Sequence, residues 1–221
     1  MMMSLFMVFD PSTSHNTSLN WLSMMVFFML IPMIYWTMPS RYSMLWHLLL
    51  SFIFKEFKTL INYSFSNIIL FYSMFTYILI NNFMGLFPYI FTSPSHMSFS
   101  LSISCSMWLG IMLYGITNFF NEMMAHLTPN GTPAILMPFM VIIESISLII
   151  RPLTLAVRLS ANMIAGHLLL SLLGSTGPQI SSIMMMIMVL SQLVLFILEI
   201  SVSLIQAYVF SILSVLYSSE Y

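Results

Sequence analysis

The chain has 221 residues, of which 60% are hydrophobic and only 5% charged, and its net charge is −1. A soluble domain carries about 25% charged residues, so this composition excludes a water-soluble fold and puts the chain in a bilayer. The same balance leaves no basic surface for nucleic acid, and the single cysteine, Cys105, has neither a disulfide partner nor a metal-ligating companion.

The N-terminus, Met1–Asp10, has no Lys or Arg ahead of its apolar residues. It resembles neither a secretory leader nor an Arg-rich transit peptide, which points to synthesis in the compartment that inserts the chain. A spanning helix needs about 20 mostly apolar residues. Leu19–Trp36 is the first uncharged candidate, with Pro32 a kink. Met44–Asn62 differs, because His47, Ser51, Lys55, Lys58 and Asn62 recur at three- and four-residue steps while Leu, Phe and Ile fill the other face. That pattern predicts an amphipathic helix lying on the membrane surface rather than through it. Ser66–Phe91 and Ser98–Phe120 are further spans, joined by the short loop Thr92–Met97. Arg41, Lys55 and Lys58 follow the first span and set that loop on the side of synthesis, the matrix in a mitochondrion. The N-terminus and the Pro94 loop then face the opposite side, and the loop Asn121–Thr132 returns to the matrix.

Pro133–Leu173 and Gln179–Tyr217 are too long for upright spans. As continuous helices each would run roughly 60 Å against a hydrocarbon core of roughly 30 Å. Either each breaks into two spans, or the pair forms a strongly tilted hairpin bent at Gly174–Pro178. The second reading is favoured, because no good loop interrupts Gln179–Tyr217 and Pro138 and Pro152 can kink the first segment without ending it. The expected fold is an all-α integral membrane protein. It has about three upright spanning helices, one interfacial amphipathic helix and a long tilted C-terminal hairpin, in a single membrane domain over residues 1–221.

The hairpin carries the chemistry. Glu144, Arg151 and Arg158 recur at seven-residue intervals on its first arm; Gln192, Glu199, Gln206 and, after a gap at Leu213, Glu220 do so on its second. Seven residues are nearly two turns, so each set lies along one side of its helix. Ionisable groups at membrane depth are costly and mark functional sites by default. In an antiparallel hairpin Arg158 falls opposite Gln206, Glu144 opposite Glu220 and His167 opposite Glu199, all about a centre near residue 182. That centre lies past the apparent turn, so the second arm must overrun the first or pack unevenly. A fixed cation thus stands between two groups of titratable residues. His and carboxylates exchange protons near neutral pH, whereas Arg does not. Simpler roles compete at some positions. Arg151 can anchor a helix at a polar edge, Asn162 and Gln206 can be ordinary interhelical hydrogen bonders, and Glu220 can be merely solvated near the terminus.

The run Arg158-Leu159-Ser160-Ala161-Asn162-Met163-Ile164-Ala165-Gly166-His167, followed by Gln206-Ala207-Tyr208-Val209-Phe210, closely resembles the subunit a family of mitochondrial ATP synthases. Asn81-Asn82-Phe83-Met84-Gly85-Leu86-Phe87-Pro88 is similar to that family's third-helix signature. Ser160, where many animal members have Thr, is a mild departure, and the first 18 residues match weakly. The animal form fits best, and the abundance of Met and Ser resembles an invertebrate mitochondrial product. The resemblance implies a proton-translocating stator in the mitochondrial inner membrane, with no cofactor, no metal and no catalytic chemistry of its own. Its implied partners are a rotor ring of small carboxylate-bearing subunits, the peripheral stalk, other membrane-sector subunits and lipid. It implies Arg158 as the essential stator charge, His167, Glu199, Asn162 and Gln206 along proton entry, and Glu144 and Glu220 along proton exit.

Rival functions are weaker. A haem-binding redox subunit needs paired histidines on facing helices, and His15, His47, His96, His126 and His167 fall mostly in loops or singly. A secondary transporter usually shows internal repeats, and none is visible. A pure scaffold gives no reason to hold Arg158 and Glu199 at lipid depth. No glycine-rich phosphate loop occurs.

Overall fold

A computed structural model describes residues 5–14, 16–32, 38–61, 65–128, 133, 135–177 and 181–219. The chain is all-α and membrane-embedded. Four helices are long and apolar enough to cross a bilayer. A 3-10 turn at Leu5–Phe9 is followed by a 3-10 stretch, Leu19–Met25, that runs into the short helix α1, Val26–Leu30. Residues 33–37, the far end of the expected first span, lie outside the described residues.

Helix α2 covers Arg41–Leu60. Ser40 caps it, its hydroxyl accepting from the Ser43 amide at 3.3 Å. Phe57 is wholly buried at its C-terminal end, against the core. Helix α3, Phe65–Gly85, is about 32 Å long at 1.5 Å per residue, enough for one crossing. Its buried stripe runs Ile68, Phe71, Phe75, Ile78, Asn82, at three- and four-residue steps. That stripe meets α7, Ser182–Ser219, whose buried positions include Ser203, Ala207, Phe210, Ser211 and Ser214. Small residues let the two backbones approach closely.

The chain reverses between α3 and α4, Met97–Asn118, and Tyr89 takes a left-handed φ of 71° there. The Thr92–Met97 loop does more than connect. Its 3-10 turn, Ser93–Ser95, is buried from Thr92 through Ser95 and packs on α6 as well as α3 and α4. Burial is tolerated because the Ser95 hydroxyl donates to the Thr92 carbonyl at 2.7 Å and lies 3.1 Å from the Thr92 hydroxyl. The expected loop after α4 begins as a short helix, α5, Phe120–His126, separated from α4 by the non-helical Phe119.

Helix α6, Met137–Thr176, runs unbroken for 40 residues and α7 for 38, each close to 60 Å. Pro138 falls in the first turn of α6, where a missing amide donor costs nothing. Pro152 lies in its interior and is absorbed without ending the helix. The two helices pack antiparallel. Asn162 meets Gln206, Gly166 meets Glu199, Gly174 lies beside Gln192, and Gly177 meets Met188. These pairs centre on residues 182–184, so α7 does overrun α6, and its first turns, Ser182–Ile187, are exposed. The arms lean on other helices more than on each other, α6 chiefly on α4 and α7 chiefly on α3.

Phe57 should anchor α2 to the bundle. Phe57→Ala is expected to cost about 3 kcal/mol through lost contact and an unfilled cavity. The readout is faster proteolysis within Arg41–Leu60 of the assembled protein, and an unchanged rate would deny Phe57 that role.

Candidate functional site

Helix periodicity sorts α6 into two sides. Leu148, Pro152, Leu155, Ala156, Leu159, Ser160 and Met163 form its buried stripe, while Arg158, Ala161, Asn162 and Ala165 are exposed. Arg158 is therefore presented outward, among apolar neighbours, and among the described residues it has no ion pair. Arg158 and Gln206 do not bond. Gln206, on α7, is buried and instead accepts from Asn162 Nδ2 at 2.9 Å, one turn beyond Arg158. The two amides thus act as an interhelical clasp beside the cation.

A further turn along, Glu199 lies across Gly166. A β-carbon added at Gly166 would sit 2.6 Å from Glu199 Oε1 and 2.8 Å from its Cδ. A side chain at 166 would therefore have to displace the carboxylate from this position. Glu199 is only 8% exposed, and neither carboxylate oxygen has a hydrogen-bond partner among the described residues. His167 is held on one side by a hydrogen bond with the Gly85 backbone, while its Nε2 is buried and unpartnered. The Phe9 ring stands edge-on to the imidazole, centroids 6.4 Å apart. No hydrogen bond joins His167 to Glu199, yet both line one cavity of about 200 Å³ together with Asn162, Gly166, Leu86 and Leu195. A buried carboxyl and a buried imidazole nitrogen, both unsatisfied beside such a space, are the polar lining that ordered water requires.

The far end of α6 is arranged differently. Glu144 lies 3.8 Å from Arg151, and the Arg151 guanidinium stacks 5.0 Å above the Tyr217 ring. The expected facing of Glu144 by Glu220 falls outside the described residues, since Glu220 is one of those not described. Glu144 is about 21 Å from Arg158 along the helix and His167 about 13 Å the other way. Among the described residues no group of three His, Cys, Asp or Glu is placed to hold a metal.

A family model, the ATP synthase A chain, matches residues 17–219. The chain belongs to that family. It is 59% identical over 222 residues to the ATP synthase subunit a of Drosophila melanogaster, an alignment that takes in all of this chain and 99% of the relative. It is 55% identical over 224 residues to the subunit a of Anopheles gambiae and to that of Locusta migratoria, with the same coverage. Membership makes the chain a proton-translocating component of the membrane sector of the ATP synthase and not a catalytic subunit. With four apolar spans it is a multi-pass protein of the mitochondrial inner membrane.

Several residues at this site or on the neighbouring helix α3 have structural roles that the residue pattern does not predict. Gly166 reads as filler beside His167 until Glu199 is laid over it. Asn82 is fully buried on α3, with both amide atoms unpartnered among the described residues. Its place in the Asn81–Pro88 run marks it by resemblance, and nothing in the residue pattern predicts its burial. Gly85 contributes only backbone, and Phe9 comes from the weakly matching N-terminus.

Gly166→Ala tests the close packing. The added methyl must push the Glu199 carboxylate aside, and ATP-driven proton pumping by the assembled complex should fall at least about tenfold, the scale of catalytic loss from small misplacements. Pumping at the wild-type rate would show that the carboxylate's seat on Gly166 is immaterial.

Proposed function

We propose that the chain is a stator with two offset proton half-channels parted by Arg158. Protons enter from the intermembrane space by the cavity that His167 and Glu199 share. They pass the Asn162–Gln206 clasp and neutralise a carboxylate on a rotor ring of small subunits. A neutral carboxyl tolerates lipid, so the ring turns it away from the stator. After nearly a full turn the site nears Arg158 from the matrix side and releases its proton past Glu144 and Glu220. The peripheral stalk and other membrane-sector subunits hold the stator still.

The observation that carries this reading is Arg158 itself, exposed, without an ion pair among the described residues, and one turn from the cavity that Asn162, His167 and Glu199 line. An Arg at mid-membrane costs roughly 2.5–3.5 kcal/mol on insertion scales, and a passing rotor carboxylate offsets part of that. An adjacent cation favours the ionised form of a carboxylate, so the rotor site discharges only there. The same charge repels a proton leaking straight between the two channels. Each proton crossing the membrane supplies about 2.3 kcal/mol per 100 mV. At the matrix end Arg151 keeps Glu144 oriented between cation and solvent.

Arg158→Ala should abolish ATP-driven proton pumping while the complex still assembles, and retained coupled pumping would refute the role. Glu199→Gln should slow pumping and alter its pH dependence. An unaltered rate and profile would remove Glu199 from the entry path.

A further inference from the structure

The chain has five Lys and Arg residues. Two, Arg151 and Arg158, belong to α6; the other three, Arg41, Lys55 and Lys58, all lie on α2. At 100° per residue, α2 divides into three sides roughly 120° apart. One side turns to the bundle through Ser43 and Phe57, both buried, and through Ile53 and Phe54, which pack against the core. A second side carries His47, Ser51, Lys55 and Lys58, all four exposed. The third is an uncovered apolar ridge of Leu45, Leu48, Leu49 and Phe52, each between 56% and 64% exposed. Arg41 falls on the third side at the start of the helix, between Leu48 and Phe52 in projection, and Glu56 falls on it near the end, between Leu45 and Leu49.

The helix is pinned in this attitude. Tyr42 donates its hydroxyl to the Leu30 carbonyl at 3.3 Å, and the Tyr208 hydroxyl of α7 donates to Glu56 Oε2 at 2.8 Å. Glu56 is the helix's one carboxylate, so this second bond ties its negative charge to α7. What faces outward is an apolar ridge with Arg41 at its start and Lys55 and Lys58 along one edge, none of them in an ion pair among the described residues. A helix with one flank against its own protein, one apolar side and one basic side fits the plane where acyl chains meet headgroups.

We propose that the outer side of α2 is a seat for anionic phospholipid headgroups, with Leu45, Leu48, Leu49 and Phe52 among the acyl chains and Arg41, Lys55 and Lys58 on the phosphates. Lipid fits this side better than a protein partner. A protein covering the ridge would strand three cations at its edge unless it brought matching carboxylates, whereas an anionic lipid supplies apolar chain and negative charge together. The long Lys and Arg stems lie along the ridge while their heads reach the phosphates. The inference is independent of the proton route.

The test uses the intact ATP synthase complex in nanodiscs of phosphatidylcholine alone and of phosphatidylcholine with phosphatidylglycerol, following amide hydrogen exchange across residues 41–60. The anionic lipid is expected to slow exchange there, by about fivefold for each cation engaged, and added salt should reverse the effect. Lys55→Gln/Lys58→Gln should lose most of the difference while keeping the phosphatidylcholine rate of the wild type. Exchange that is the same in both lipids would overturn the proposal. So would equal protection of the wild type in detergent without phospholipid, which would mean that a protein partner covers the ridge.

Discussion

Hydrocarbon has no water to lend, so every polar group at that depth either finds a partner inside the protein or remains unsatisfied at a cost. This one constraint organises the molecule. The spanning helices are rich in Ser and Thr, and their hydroxyls turn back onto carbonyls three or four residues earlier. Ser73, Thr76, Ser104, Ser147, Ser171, Ser203 and Ser214 all do so. Each is polar in composition and nearly apolar in effect, which leaves its small side chain free to serve as a packing notch. Against that background the exceptions within the long helices stand out: the Glu199 carboxylate, the His167 Nε2 and the Asn82 amide are buried without partners among the described residues, as are Ser23 and the His96 Nε2 outside those helices.

The long helices answer the same constraint in a different way. Nothing in α6 or α7 breaks a backbone ladder of about 60 Å, so no loop has to be buried in their middle. Their support comes from α3 and α4, each about one bilayer thick, and α3 ends near the level of His167, at Gly85. The Thr92–Ser95 turn fills the corner there, beside Met163 and Gly85. Polar side chains of α6 and α7 therefore emerge where the shorter helices give out, which is where a cavity can persist.

Much of this is legible in the sequence. Hydropathy and length point to the four long apolar helices, whereas the expected first span, Leu19–Trp36, is a 3-10 stretch and a short helix over its described part; the charge-poor background makes Arg158, Glu199 and His167 conspicuous. The pairing register about residue 182 came from arithmetic on polar residues, and the contacts centre on 182–184. What sequence could not supply were contacts with no periodicity behind them. The Gln206 amide meets Asn162 rather than Arg158, a shift of one turn that hydropathy cannot resolve. The Pro94 turn is polar in composition and buried in fact, because its hydroxyls bond one another. Arg151, Glu144 and Tyr217 meet because two helix ends converge, and only the packing of α7 decides that.

The surroundings of the Glu199 cavity are gathered from far along the chain. Phe9 lies against His167, Gly85 holds that imidazole, and Glu199 rests on Gly166. During synthesis the first of these residues emerges almost two hundred positions before the last, and at roughly 5–20 residues per second the early helices wait many seconds for α7. Until then the pocket has no closing wall and its carboxylate is absent altogether. A translation product that stops short of α7 therefore holds neither this cavity's closing wall nor its buried carboxylate.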